Sequence, residues 1–160
     1  MVAIDNSPLS VEVCKRRGVK DVRLVSLTQV SKSLGIFDTI IMLGNNFALV
    51  GTEKRAKWLL KKYYNLTSPQ GRILACTSDP FKTTNPDHLK YHEFNRRRGK
   101  PPGELRIRVL YKEYKSSWLG FLFLTVAEMK KLVEGTGWRV SEILDGESGP
   151  YVAILEKQKQ

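Results

Sequence analysis

The alternation of short apolar runs with stretches of helical spacing constrains this chain more than any single motif. Val2 to Ile4 is apolar and stops at Asp5. Ser7-Pro8 then reads as a helix start, with Ser7 as N-cap and Pro8 at the first helical position, where its missing N–H costs nothing. The helix is predicted to run to Arg17, and Gly18 closes it in a left-handed conformation. Val22 to Val25 follows as a short strand. Phe37 to Leu43 is almost wholly apolar and lies between Gly35 and Gly44, which predicts a strand buried on both faces. Between Thr52 and Asn65, the residues Ala56, Leu59, Leu60 and Tyr63 fall at i, i+3, i+4 and i+7 and form one apolar helix face. Ser68-Pro69-Gln70-Gly71 predicts a turn, and Arg72 to Thr77 the next strand.

This alternation predicts an α/β fold with a Rossmann-like, mostly parallel sheet, right-handed crossovers and helices on both faces. Ligands of such sheets lie beyond the carboxyl ends of the strands. Those ends are Asp5, Ser26 to Thr28, Gly44 to Phe47 and Ser78 to Pro80. The rhythm breaks after residue 78. Asn85-Pro86 caps a helix predicted over residues 87–97, and Lys100-Pro101-Pro102-Gly103 ends it. Leu105 to Tyr111 alternates as a half-exposed strand, and a second strand is expected near Trp118 to Leu124. Thr125-Val126-Ala127-Glu128 matches a capping box that opens a helix reaching about Gly135. Residues 138–144 and 151–155, joined by a short turn, predict a C-terminal antiparallel hairpin. Residues 1–157 are thus expected to form a single domain with an insertion at 78–124 and a frayed tail at 158–160. Trp58, Trp118 and Trp138 are expected as core or packing residues rather than recognition platforms.

The 160 residues and their 41% apolar content suffice for one domain with a buried core. The charge balance is 27 − 16 = +11, which attracts nucleic acid, anionic lipid or an acidic small molecule. Cys14 and Cys76 are too far apart in sequence for a metal knuckle and read as reduced thiols, so a cytoplasmic location is expected. No apolar run is long enough to span a bilayer and the first ten residues lack a signal-peptide pattern, so neither a membrane anchor nor secretion is expected.

The order of these segments resembles the class I S-adenosylmethionine-dependent methyltransferases. Val2-Ala3-Ile4-Asp5-Asn6-Ser7-Pro8 is similar to the family's second strand with its acidic end. Residues 37–45, FDTIIMLGN, are similar to the fourth strand and the loop that faces the methyl group. Pro69-Gln70-Gly71-Arg72 resembles the turn into the fifth strand, and Thr136-Gly137-Trp138 the entry to the sixth. The family's first strand, glycine-rich loop and following helix are expected ahead of Val2, and the chain is read as lacking them. The sheet edge so exposed is expected to promote a homo-oligomer.

The resemblance implies S-adenosylmethionine as cofactor and methyl transfer to a small-molecule or nucleic-acid acceptor. Asp5 would take the ribose hydroxyls with Asn6 beside it, although a strand-ending Asp needs no ligand. Ser26, Leu27 and Thr28 would cover the adenine. Gly44, Asn45 and Asn46 would flank the methyl group, with Phe47 packed on cofactor or substrate; Gly and Asn are also ordinary turn residues. Tyr91 or His92, on the inserted helix, would act as general base or orient the acceptor. His88 and His92 stand at i, i+4, but Leu89 occupies the place of a zinc-protease Glu and no third ligand is evident, so no metal is expected. Two other readings stay open. One is a non-catalytic basic module that binds RNA through Arg96-Arg97-Arg98, although the interleaved aromatics of a single-strand reader are not evident. The other is a nucleotide-binding α/β domain of a different kind.

Overall fold

The computed structural model describes residues 1–146 and 149–158. Glu147 and Ser148, inside the expected hairpin turn, and Lys159 and Gln160, in the expected tail, lie outside the described residues. The chain divides into two compact units, Met1–Ile36 and Phe37–Gln160.

The first unit contains β1 (Ala3–Asp5), α1 (Pro8–Arg16) and β2 (Val22–Leu24), with the two strands parallel. The helix begins where the sequence predicts. Ser7 Oγ accepts the N–H of Ser10, Pro8 opens the first turn, and Gly18 follows at φ 84°.

The second unit contains, in chain order, β3 (Phe37–Met42), α2 (Glu53–Tyr64), β4 (Thr67–Ser78), α3 (Pro86–Arg97), β5 (Glu104–Ile107), β6 (Leu110–Tyr111), β7 (Tyr114–Lys115), β8 (Leu119–Leu122), α4 (Val126–Val133), β9 (Trp138–Asp145) and β10 (Pro150–Lys157). Its four-stranded sheet has the order β3-β4-β10-β9. The β3–β4 ladder is parallel, and the β4–β10 and β10–β9 ladders are antiparallel. The sheet is therefore mixed rather than mostly parallel. Strands joined by a short connection pair antiparallel, and here such strands supply half the sheet.

The α2 face forms as its spacing dictates: Ala56, Leu59, Leu60 and Tyr63 are all buried. Met129, Leu132 and Val133 of α4 are buried as well, behind a complete capping box between Thr125 and Glu128. Trp138 is fully buried, donates its indole N–H to the Leu60 carbonyl at 2.9 Å and meets Tyr64 edge-on. The preceding Gly137 has φ 87°, and a Cβ there would lie 2.7 Å from the Tyr64 ring, so this approach requires glycine.

Three expectations are corrected. In β3 only Met42 is buried, and Ile41 is 61% exposed, because β3 is an end strand of its sheet. The predicted turn at residues 68–71 lies inside β4 as an irregularity, with Phe37 opposite Thr67 but Thr39 already opposite Arg72. Trp58 and Trp118 are half exposed, whereas Trp138 joins the core. No helix of the described residues is long and apolar enough to cross a membrane.

Candidate functional site

In the second unit, the parallel pairing of β3 with β4 brings their carboxyl ends side by side. Gly44 and Asn45 follow β3 with φ 63° and 62°, a left-handed turn that glycine and asparagine tolerate best. That turn directs the Asn45 amide toward β4. Ser78 Oγ donates to Asn45 Oδ1 at 3.0 Å, and Cys76 Sγ lies 4.0 Å from the same oxygen. The amide oxygen is thus committed to β4, which leaves its N–H₂ as the group Asn45 presents elsewhere.

Ser78 also lines a cavity of about 520 Å³. The wall continues through Asp79 and Pro80 after β4, Tyr91 and His92 on α3, and Leu105, Arg106 and Ile107 on β5. Asn85 accepts the N–H of Asp87 and caps α3, which fixes where that helix begins. At its other end, buried Asn95 donates to the carbonyls of Pro101, Pro102 and Glu104. One amide thereby fastens α3 to the segment that enters β5. In a helix of low apolar content this buried polar residue gave no periodic signal, and it is the residue that sequence reasoning missed.

His92 is 4% exposed, and among the described residues its buried Nδ1 has no hydrogen-bond partner. Burial lowers its pKa from the usual histidine value, and the positive charges of Arg96 and His88 add to the effect. The imidazole is therefore neutral near pH 7. Phe81 meets it edge-on, with ring centroids 5.5 Å apart. The Tyr91 hydroxyl accepts the backbone N–H of Arg106 at 3.3 Å and keeps its own proton to donate. His88, by contrast, is exposed and bonded to Thr83.

Other predicted residues of the second unit stand apart from this cavity. Asn46 and Gly44 are exposed and do not line it. Phe47 is 1% exposed, a core residue rather than a surface for a ligand. In the first unit, Asp5 ends β1 half-buried, and its Oδ1 accepts the N–H of Ser7 at 2.7 Å. Asn6 is exposed, and Ser7 serves as helix cap. Ser26 and Thr28 link their hydroxyls at 3.2 Å, with Leu27 half-buried between them.

No protein-family model and no curated protein sequence matches the chain. Solved structures do. A SAM-dependent methyltransferase from Bacteroides fragilis, crystallised with S-adenosyl-L-homocysteine, is 30% identical with a TM-score of 0.79 over 99% of this chain and 63% of that one. The chain has the class I S-adenosylmethionine-dependent methyltransferase fold. It spans less than two thirds of the length of the Bacteroides fragilis protein. The same fold relates it to the CcbJ methyltransferase of Streptomyces caelestis, at 8% identity and TM-score 0.69 over 98% of this chain and 74% of that one. It also relates it to a 1,6-didemethyltoxoflavin-N1-methyltransferase of Burkholderia thailandensis, at 12% identity and TM-score 0.60 over 99% of this chain and 61% of that one. In this fold, β3 ends at the Gly44-Asn45 turn and β4 ends at Ser78, side by side.

Proposed function

We propose that this chain belongs to an enzyme that transfers a methyl group from S-adenosylmethionine to a small-molecule acceptor. One observation carries the reading: 30% identity, over almost the whole chain, to a methyltransferase crystallised with the spent cofactor. The Burkholderia thailandensis relative, crystallised with 1,6-didemethyltoxoflavin, supports a small acceptor. So does the cavity, since small-ligand pockets span roughly 300–1,000 Å³.

The cofactor supplies an electrophilic methyl on a sulfonium, and transfer from it needs positioning and exclusion of water more than covalent help. The residues present fit such a group. Asp5 has one oxygen held by the Ser7 N–H, which leaves the other to accept from ribose hydroxyls. Ser26, Leu27 and Thr28 are assigned to adenine, and Gly44 and Asn45 to the methionine side of the cofactor. The N–H₂ of Asn45, whose amide oxygen is held by Ser78, is assigned as a donor to the reacting region, with Asn46 as its neighbour. His92 is assigned as the base that takes the acceptor's proton, and Tyr91 orients the acceptor through its hydroxyl.

Calorimetric titration with S-adenosylhomocysteine tests the reading. Binding is expected, and Asp5→Ala should weaken it about tenfold, the loss of a charge-assisted hydrogen bond. Undiminished affinity in that variant removes Asp5 from the ribose, and no binding by the parent chain removes the cofactor.

Two further features bear on setting and assembly. Cys14 and Cys76 are free thiols, which supports a cytoplasmic setting. The end strand β3, with Ile41 exposed, supports self-association through that edge. A second reading, RNA binding, is favoured by cations stacked on exposed aromatics: Arg106 and Arg108 over Trp118, and Lys112 over Tyr111.

A further inference from the structure

Besides His92 and the Tyr91 hydroxyl already described, the cavity wall carries five charged or titratable groups. Four of them are engaged. Asp79 accepts the N–H of Phe81 at 2.8 Å, and Lys82 pairs with Asp145 at 3.5 Å. Asp87 lies 3.6 Å from Lys90, and His88 is bonded to Thr83 at 2.9 Å. Arg106 differs. Among the described residues its guanidinium has neither a hydrogen bond nor an ion pair, and it rests over the Trp118 ring with 5.6 Å to the centroid. Arg108 rests over the same ring at 4.9 Å and is equally without a carboxylate. Two guanidinium groups therefore share one exposed indole, beside a cavity whose other charges are already answered. An aromatic ring is a weak counterpart for a guanidinium, worth about 0.5–1 kcal/mol at an exposed site, and a bidentate anion outcompetes it.

We infer that the cavity takes an acceptor bearing a carboxylate or phosphate group, which Arg106 and Arg108 bind beside Trp118 while the acceptor's reactive end reaches His92. This inference rests on the reading of the cavity as the acceptor site. The apolar side chains of Pro80, Leu105, Ile107 and Phe123 in the same wall suit a ring or short hydrocarbon body between the two ends. The same anionic chemistry occurs in nucleic-acid phosphates. The concavity favours the small molecule, because Arg106 lines a pocket of small-ligand size, whereas a strand reader offers a continuous open groove.

Trp118 reports on the event directly. An anion that draws Arg106 and Arg108 off the indole changes its fluorescence, whether or not any methyl is transferred. The full chain is titrated with benzoate, 4-hydroxybenzoate and phenyl phosphate, with benzyl alcohol and 4-hydroxybenzyl alcohol as neutral counterparts and an oligo(U) RNA as the polymeric anion. Trp118→Phe identifies the signal of that residue against Trp58 and Trp138. At least one small anion should change Trp118 emission and bind about tenfold or more tightly than its neutral counterpart. The Arg106→Met, Arg108→Met double variant should lose that preference while keeping the parent's circular dichroism, since both side chains are exposed. Equal binding of anions and alcohols overturns the inference, as does silence with all three anions or an undiminished preference in the double variant. Tighter binding of the RNA than of every small anion overturns it in favour of a polymer surface. Anion binding without any S-adenosylhomocysteine binding would keep the anion site and refute the methyltransferase reading, so the two fail separately.

Discussion

At the scale of single residues, His92 combines burial with an unsatisfied nitrogen, and both have measurable consequences. Its folded pKa lies below the ordinary value of 6.5, chiefly because burial disfavours the imidazolium. As pH falls through about 6.5 the unfolded chain binds a proton that the folded chain refuses, so the folded state loses stability until its own lower pKa is reached. The melting temperature should accordingly drop between about pH 7 and pH 5. His92→Asn should flatten that slope, and an unchanged slope would exonerate the imidazole. Ser78→Ala removes the hydroxyl that holds the Asn45 amide. If Asn45 serves the cofactor, S-adenosylhomocysteine affinity should fall in Ser78→Ala and in Asn45→Ala alike, and little further in the double variant; additive losses would mean that the two act independently. Much of this was beyond the sequence. Tyr91 and His92 were legible as chemistry on one helix, but not which of them turns inward, because adjacent helical residues point about 100° apart. The bond between Asn45 and Ser78, 33 positions apart, follows from strand pairing, which local patterning does not encode.

Secondary-structure elements were more legible, for reasons that differ between them. The α2 face and the Thr125 capping box depend on residues close together in sequence, and both formed as the spacing dictated. The exposure of β3 depends on its neighbours in the sheet, and its composition alone suggested full burial. The α4 cap offers a clean test. Thr125→Ala abolishes the two bonds that the threonine hydroxyl makes with Glu128 and should lower stability by about 1 kcal/mol, read as a shift in a denaturant midpoint. The α3 anchor is a stronger case, because Asn95 serves three carbonyls from a buried position. Asn95→Leu should cost about 1–3 kcal/mol and raise amide exchange over residues 86–107 more than in β4. Exchange raised equally in both would show that the anchor supports the whole unit rather than the cavity wall.

For the molecule as a whole, the two units differ in how much structure holds them. The Met1–Ile36 unit has two strands of three residues each, whereas the second unit is built on strands of eight and twelve. A two-stranded sheet has little stability of its own, so amide protection should be lower in β1 and β2 than in β4 and β10, and equal protection would contradict this ordering. Within the second unit, the path that leaves β4 at Ser78 travels through α3 and the short hairpins and returns to the same point, where the Leu124 N–H donates to the Ser78 carbonyl at 3.2 Å. The excursion begins and ends on one hydrogen bond. It therefore behaves as an exchangeable cassette: its outer part can be rewritten by selection or in the laboratory while the ladder of β4 with β10 keeps its register.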